Sequence, residues 1–66
     1  MTIGENIKRL REKAGMTQED LAKVLGVTHS AISLIESDKR GINVKKADKI
    51  ANALGVTLND LIDGRE

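Results

Sequence analysis

Apolar residues recur along this chain at helical spacing, in short bursts that polar residues and glycines interrupt. Ile3, Ile7, Leu10 and Ala14 fall on one face of a helix, and Ala47, Ile50, Ala51 and Leu54 do the same further on. Thr2, Thr17, Thr28, Asn43 and Thr57 stand where such helices should start. Their side-chain oxygens can accept from first-turn N–H groups that lack an intrahelical partner. Thr2 and Glu5 have the spacing of a capping box. Met16/Leu21, Val27/Ile32, Ile42/Ala47 and Val56/Leu61 bracket four of these caps as apolar staples. The chain has no proline; Gly15, Gly26, Gly41, Gly55 and Gly64 follow the periodic stretches or sit in a loop. The pattern predicts five helices, at about 2–14, 17–25, 28–37, 43–54 and 57–63. No stretch alternates convincingly as a strand, so the expected fold class is all-α, one domain over residues 1–66.

The stretch Leu21-Ala22-Lys23-Val24-Leu25-Gly26-Val27-Thr28 is echoed by Ile50-Ala51-Asn52-Ala53-Leu54-Gly55-Val56-Thr57. Both read as a helix end, a glycine cap, a stapling Val and a new Thr cap, so the same turn chemistry is used twice. Only two or three residues join helices 2 and 3, which forces their axes to cross steeply. Ala22 supplies the small residue where they touch, Gly26 tolerates a positive φ, and Val27 plugs the corner. Leu21, Leu25, Ile32 and Ile35 are expected to bury the inner faces. This is the arrangement of a helix-turn-helix.

Composition narrows the picture. In 66 residues there is no Phe, Trp or Tyr, so the core must be built from Leu, Ile, Val, Ala and two Met. A domain this small buries only about 60% of its unfolded surface. With no Cys, neither disulfides nor a thiolate metal site can add stability, and self-association is the remaining common device. A single His excludes a site needing two imidazoles from one chain. No apolar run approaches the roughly 18 residues of a membrane span and no signal-peptide pattern opens the chain, so a cytoplasmic location is expected. The net charge of +1 is uninformative, but its distribution is not: residues 1–16 and 39–49 carry +2 and +4, and residues 17–38 carry −3. Two basic segments flank an acidic one, a pattern that mixed solvated helix faces would also produce.

Gln18 to Ser37 resembles the twenty-residue helix-turn-helix of the phage-repressor (Cro-like, lambda-repressor-like) family, with Leu21, Ala22, Leu25, Gly26, Val27, Ile32 and Ile35 in register. Gly15-Met16-Thr17-Gln18 resembles the family's approach to helix 2, Ile50 to Val56 its helix 4, and Leu58 to Ile62 its final turn. The chain departs from many members in carrying Leu34 and Ile42, where an aromatic or Arg and a Pro are usual. The resemblance covers nearly the whole chain and implies a transcriptional regulator, with repression by occlusion of a double-stranded DNA site.

The phase of helix 3 follows from its own residues. At about 100° per residue, Ile32 and Ile35 mark the buried side. Ser30, Ser33, Leu34 and Ser37 point away from it, with His29 at the flank. In a recognition helix that enters the major groove N-terminus first, Thr28, His29, Ser30, Ser33 and Leu34 would meet base edges. Hydroxyls can donate or accept there, and Leu34 suits a thymine methyl. A plain solvated face short of charge is the alternative, and an outward Leu34 also fits a protein contact. No second His, Cys or spaced carboxylate pair accompanies His29, so neither a metal site nor a catalytic base is expected. Its protonation below neutral pH would add positive charge at a DNA surface.

Phosphate contacts are expected from Gln18, at the positive end of helix 2, and from Lys39, Arg40 and Asn43 after helix 3; solubility alone would also account for Lys39 and Arg40. The resemblance gives Gln18 a phosphate or helix-bracing role, and implies that Arg11 on helix 1 pairs with Glu36 at the end of helix 3. Glu19 and Asp20 are dipole partners of a first helical turn, or else a polymerase-contacting surface. Leu58, Leu61 and Ile62 crowd a final helix of barely two turns. They either cap the core or form a two-fold homodimer contact, which would set two recognition helices about 34 Å apart on a palindromic operator. A protein-binding module such as an antitoxin or adaptor is the rival from another class. An enzyme is not expected, since Cys, Tyr, a phosphate loop and a second His are all absent. No cofactor is expected.

Overall fold

The computed structural model describes residues 2–63; Gly64, one of the glycines noted above, lies outside them. Five α-helices follow one another: α1 (Ile3–Lys13), α2 (Gln18–Leu25), α3 (His29–Glu36), α4 (Val44–Leu54) and α5 (Leu58–Asp63). No strand occurs among the described residues. The helices begin where the caps were expected. The Thr2, Thr17, Thr28 and Asn43 side chains accept from Glu5, Asp20, Ala31 and Lys46 N–H groups, and the Thr57 hydroxyl accepts from Asp60 N–H at 3.1 Å. Thr2–Glu5 closes a full capping box, as its spacing predicted. Two more close with Asp as the return partner, Thr17–Asp20 and Thr57–Asp60. The shorter Asp side chain reaches the cap N–H at 3.0 and 3.1 Å.

Gly26 and Gly55 take the left-handed conformation after α2 and α4, as their echoed sequences imply. After α3 that conformation belongs instead to Asp38, at φ 63°, and not to Gly41. Asp38 closes the helix end: its N–H donates to the Ile35 carbonyl, and Lys39 N–H donates to the Leu34 carbonyl at 3.0 Å. An aspartate tolerates this region better than most residues, and here its carboxylate is held in place. It accepts from Gly4 N–H at 3.0 Å and from the Thr2 hydroxyl, so the end of α3 is clasped to the start of α1. Gly4 is small for the same reason. A Cβ there would lie 2.5 Å from the Ile35 carbonyl oxygen and 2.7 Å from that of Glu36.

The core is aliphatic, as a chain without aromatics requires. Ile7, Leu21, Ile32, Ile50 and Leu61 are fully enclosed, one from each helix. Ala22 and Ile35 are buried at the α2–α3 corner, while Leu25 and the staple residues Met16, Val27, Ile42 and Val56 pack half-buried around the core. Two expectations need correction. Ala14 is exposed, because it is the C-cap of α1 and lies past its last apolar turn. Leu61, offered as a dimer contact, has no exposed surface. The short α5 lies against α1 and α4 and spends Leu61 on the monomer's own core. Buried Asn6 fastens it there, its amide donating to the Leu61 carbonyl at 3.0 Å.

Candidate nucleic-acid interface

Helix α3 is built so that its polar groups divide by chemistry. Ala31, Ile32 and Ile35 turn inward, while His29, Ser30, Ser33 and Ser37 are exposed and Leu34 is half-exposed. The helix carries one acid, Glu36, and that carboxylate is buried against α1. Arg11 Nε donates to Glu36 Oε2 at 2.7 Å and Nη2 to Oε1 at 3.2 Å, the two-pronged geometry that a guanidinium matches to a carboxylate. Nη1 donates to the Met16 carbonyl at 2.7 Å, so the same side chain ties the α1–α2 loop to the pair. The Glu36 hydrogen bonds push the Arg11 guanidinium further above its ordinary range, against the opposing effect of burial. The exposed face of α3 is thereby left without negative charge.

Gln18 is half-buried and extends this network outward. Its Nε2 donates to Glu36 Oε1 at 3.0 Å, and its Oε1 lies 2.8 Å from His29 Nε2. His29 and Glu36 are seven residues apart, two turns or roughly 10 Å along the helix, and the Gln18 amide spans the gap. The structure thus uses this side chain to brace α2 against α3.

The remaining candidates sit at the ends of α3. The Thr28 hydroxyl accepts the Ala31 N–H at 3.1 Å as the cap of α3. Past the helix, Lys39 and Arg40 are both exposed, and their backbone N–H groups both donate to the Leu34 carbonyl, at 3.0 and 3.2 Å. The backbone there is fixed by α3 itself, and the two side chains are carried at the helix's C-terminal end. Asn43 Oδ1 is occupied by the Lys46 N–H at 2.8 Å, which leaves its Nδ2 as the group for any outside partner. Lys8 was not anticipated. It lines a shallow hollow of about 190 Å³ with Gln18, Ser33, Glu36 and Ser37, which places an α1 cation beside the exposed serines. The basic balance of residues 1–16 was its only signal in the sequence. On α5, Ile62 is 52% exposed and Leu58 is half-buried against the core.

Among the described residues, no three His, Cys, Asp or Glu side chains are grouped to hold a metal ion, and no helix is long and apolar enough to cross a membrane.

The short α2–α3 corner at Gly26, the capped and acid-free face of α3 and the buried pair behind it define a five-helix, repressor-like helix-turn-helix domain. Residues 7–61 match the sequence model of the family described as helix-turn-helix, and the chain belongs to that family of transcriptional regulators. It is 32% identical over 63 residues to the HTH-type transcriptional regulator PuuR of Escherichia coli (strain K12), covering 96% of this chain and 34% of PuuR. The chain therefore spans about a third of that relative's length. It is 34% identical over 65 residues to the control protein C.MunI of Mycoplasma sp., covering 97% of this chain and 88% of that protein. Among solved structures, the P22 c2 repressor in complex with a synthetic operator superposes with a TM-score of 0.87 at 30% identity, covering 97% of each chain. The resemblance to phage repressors read from Gln18 to Ser37 is thus shown, as are the all-α class and the five-helix architecture.

Proposed function

We propose that this chain reads a specific sequence of double-stranded DNA by inserting α3 into the major groove, and that it represses transcription by occluding its site as a homodimer. The observation that carries the reading is the disposal of charge on α3. Its only acid is buried and neutralised by Arg11, and its exposed face offers hydroxyls, an imidazole and an aliphatic side chain. Phosphates repel acids, and base edges are read by such donors, acceptors and methyl-sized contacts. In this reading Thr28, His29, Ser30, Ser33 and Leu34 face base edges. Lys39, Arg40 and the Asn43 amide hold the phosphates on one side, with Lys8 and the start of α2 at Gln18 on the other. Binding of a repressor of this fold to its operator supports the placement by likeness.

The dimer contact is assigned to Ile62 and Leu58, since Leu61 belongs to the core. A two-fold arrangement on α5 would demand half-sites about one helical turn, roughly 34 Å, apart. The rival reading, a module that binds a protein such as a polymerase or a toxin, has its footholds in exposed aliphatic side chains: Val24 is 62% exposed on α2, beside the acids that open that helix, and Val44 is 73% exposed at the start of α4.

Selection from a random duplex pool at moderate salt, followed by sequencing, tests the proposal. Enrichment of a palindrome with half-sites one turn apart is the expected result. A folded protein that enriches nothing refutes the DNA-reading claim for this chain and redirects the search to a protein partner at Val24.

A further inference from the structure

The hydrogen-bond chain from Arg11 to His29 has a direction, and that direction dictates what His29 can present to a ligand. The Glu36 carboxylate is buried and takes a guanidinium N–H from Arg11 on each oxygen, so both oxygens act as acceptors. The Gln18 amide must therefore turn its NH2 toward Glu36, and its carbonyl oxygen is left facing His29. A carbonyl oxygen can only accept, so His29 Nε2 must carry the hydrogen. In a neutral imidazole the other nitrogen is then bare. His29 Nδ1 makes no hydrogen bond to any described residue, and the side chain is exposed.

We infer that the buried Arg11–Glu36 pair, acting through Gln18, locks His29 in its Nε2–H tautomer and so makes it a hydrogen-bond acceptor toward DNA. His29 is then a specificity-determining residue, and Glu36 and Gln18 are positioning residues that act through it. The inference deepens the DNA-reading proposal and rests on it for its second half. In the major groove an acceptor pairs with an exocyclic amino group, N6 of adenine or N4 of cytosine. The guanine O6 and N7 and the thymine O4 are themselves acceptors and leave Nδ1 unpaired. An unlocked histidine could present either nitrogen as a donor and would lose this discrimination. A buried ion pair in the scaffold thereby decides which base-edge group a histidine at the surface can pair with.

Two measurements separate the lock from the reading. The first is long-range proton–nitrogen NMR correlation on isotope-labelled free protein at about pH 8, where histidine is ordinarily neutral. It should show His29 Nε2 protonated and Nδ1 bare, whereas Gln18→Met, which removes the bridge and leaves the ion pair, should show a mixture of tautomers. The second is duplex selection with wild type and with His29→Ala. The base pair whose preference disappears in His29→Ala should be read through the exocyclic amino group of its adenine or cytosine. Deleting only that group, with purine in place of adenine or 2-pyrimidinone in place of cytosine, should weaken wild-type binding roughly five- to 150-fold and leave His29→Ala unaffected. An Nδ1–H or mixed tautomer in the wild-type free protein overturns the lock, whatever DNA it binds. A locked tautomer with wild-type binding unchanged by loss of that amino group overturns the specificity role. A locked tautomer with no DNA selected at all refutes the DNA-reading proposal and the specificity role together, and leaves the lock standing as a property of the scaffold.

Discussion

Replacing Gly4 by Ala adds one methyl group to a helix, and on helix propensity alone it should stabilise the protein by at most about 1 kcal/mol. The structure reverses that sign. The added Cβ would stand 2.5 Å from the Ile35 carbonyl oxygen, 2.7 Å from that of Glu36 and 2.6 Å from Asp38 Oδ1. Two of these are backbone atoms at the C-terminal end of α3, which the Asp38 and Lys39 turn already fixes. They cannot swing aside, so α1 must retreat. Overpacking of this kind costs about 1–3 kcal/mol. Retreat also stretches the Gly4 N–H bond to the Asp38 carboxylate, now 3.0 Å, and a bond to a charged acceptor contributes about 1.5–3 kcal/mol. With a propensity gain of about 1 kcal/mol subtracted, the net loss is about 1.5–5 kcal/mol. That is a large share of the roughly 3–10 kcal/mol expected for a domain of this length. The midpoint of thermal unfolding, followed by far-ultraviolet circular dichroism, should fall by roughly 6–40 °C. Gly41→Ala is the control, since a Cβ there meets nothing within 4 Å and the backbone is not left-handed. If Gly4→Ala melts at or above the wild-type temperature, the close approach of α1 to α3 is refuted.

Three further outcomes follow from the same contacts. Arg11→Lys keeps the charge but loses the fork to Glu36 and the bond to the Met16 carbonyl, so urea unfolding should show a loss of about 2–3 kcal/mol; unchanged stability and unchanged DNA affinity would show that the pair does not hold α3. The capping bonds from Thr2 lower the Glu5 pKa below its ordinary 4.5, and those from Thr17 lower Asp20 below its ordinary 3.8, the backbone N–H being the larger cause in each. A depressed carboxylate contributes stability that is present above the ordinary values and is lost as pH falls through the lower folded ones. The thermal midpoint should therefore drop on acidification below about pH 4, less steeply in Glu5→Gln/Asp20→Asn, and an identical acid profile in the double variant would rule this source out. Finally, Lys39→Ala/Arg40→Ala should weaken binding to specific and random duplexes alike. It should reduce the log–log salt slope by about 1.8, from two lost phosphate contacts at about 0.9 each; an unchanged slope would place both side chains off the DNA.

Most of the local structure was written in short-range chemistry. A Thr or Asn before an amphipathic stretch and a Gly after it act within one helical turn, so Thr17, Gly26, Thr28 and Gly55 announced the α2–α3 corner and its echo. The period of Ile32 and Ile35 fixed which way α3 turns, and with it the exposure of Ser30 and Ser33. The pairing of Arg11 with Glu36 was implied by resemblance to the phage repressors, since no local rule joins residues 25 positions apart. What the sequence could not reveal depended on which helix ends meet in space. Gly4 reads as a helix-weakening residue until α3 is seen to end against it, and Asp38 reads as one more surface acid until its carboxylate is seen to clasp the start of α1. Leu61 and Ile62 are adjacent and both aliphatic; only the docking of α5 on α1 and α4 sends one into the core and leaves the other outside. Likewise Gln18 and His29 are individually ordinary polar residues. The buried carboxylate that gives their hydrogen bonds a direction is supplied by tertiary packing, because only the fold brings the Arg11 guanidinium of α1 onto the Glu36 oxygens at the end of α3.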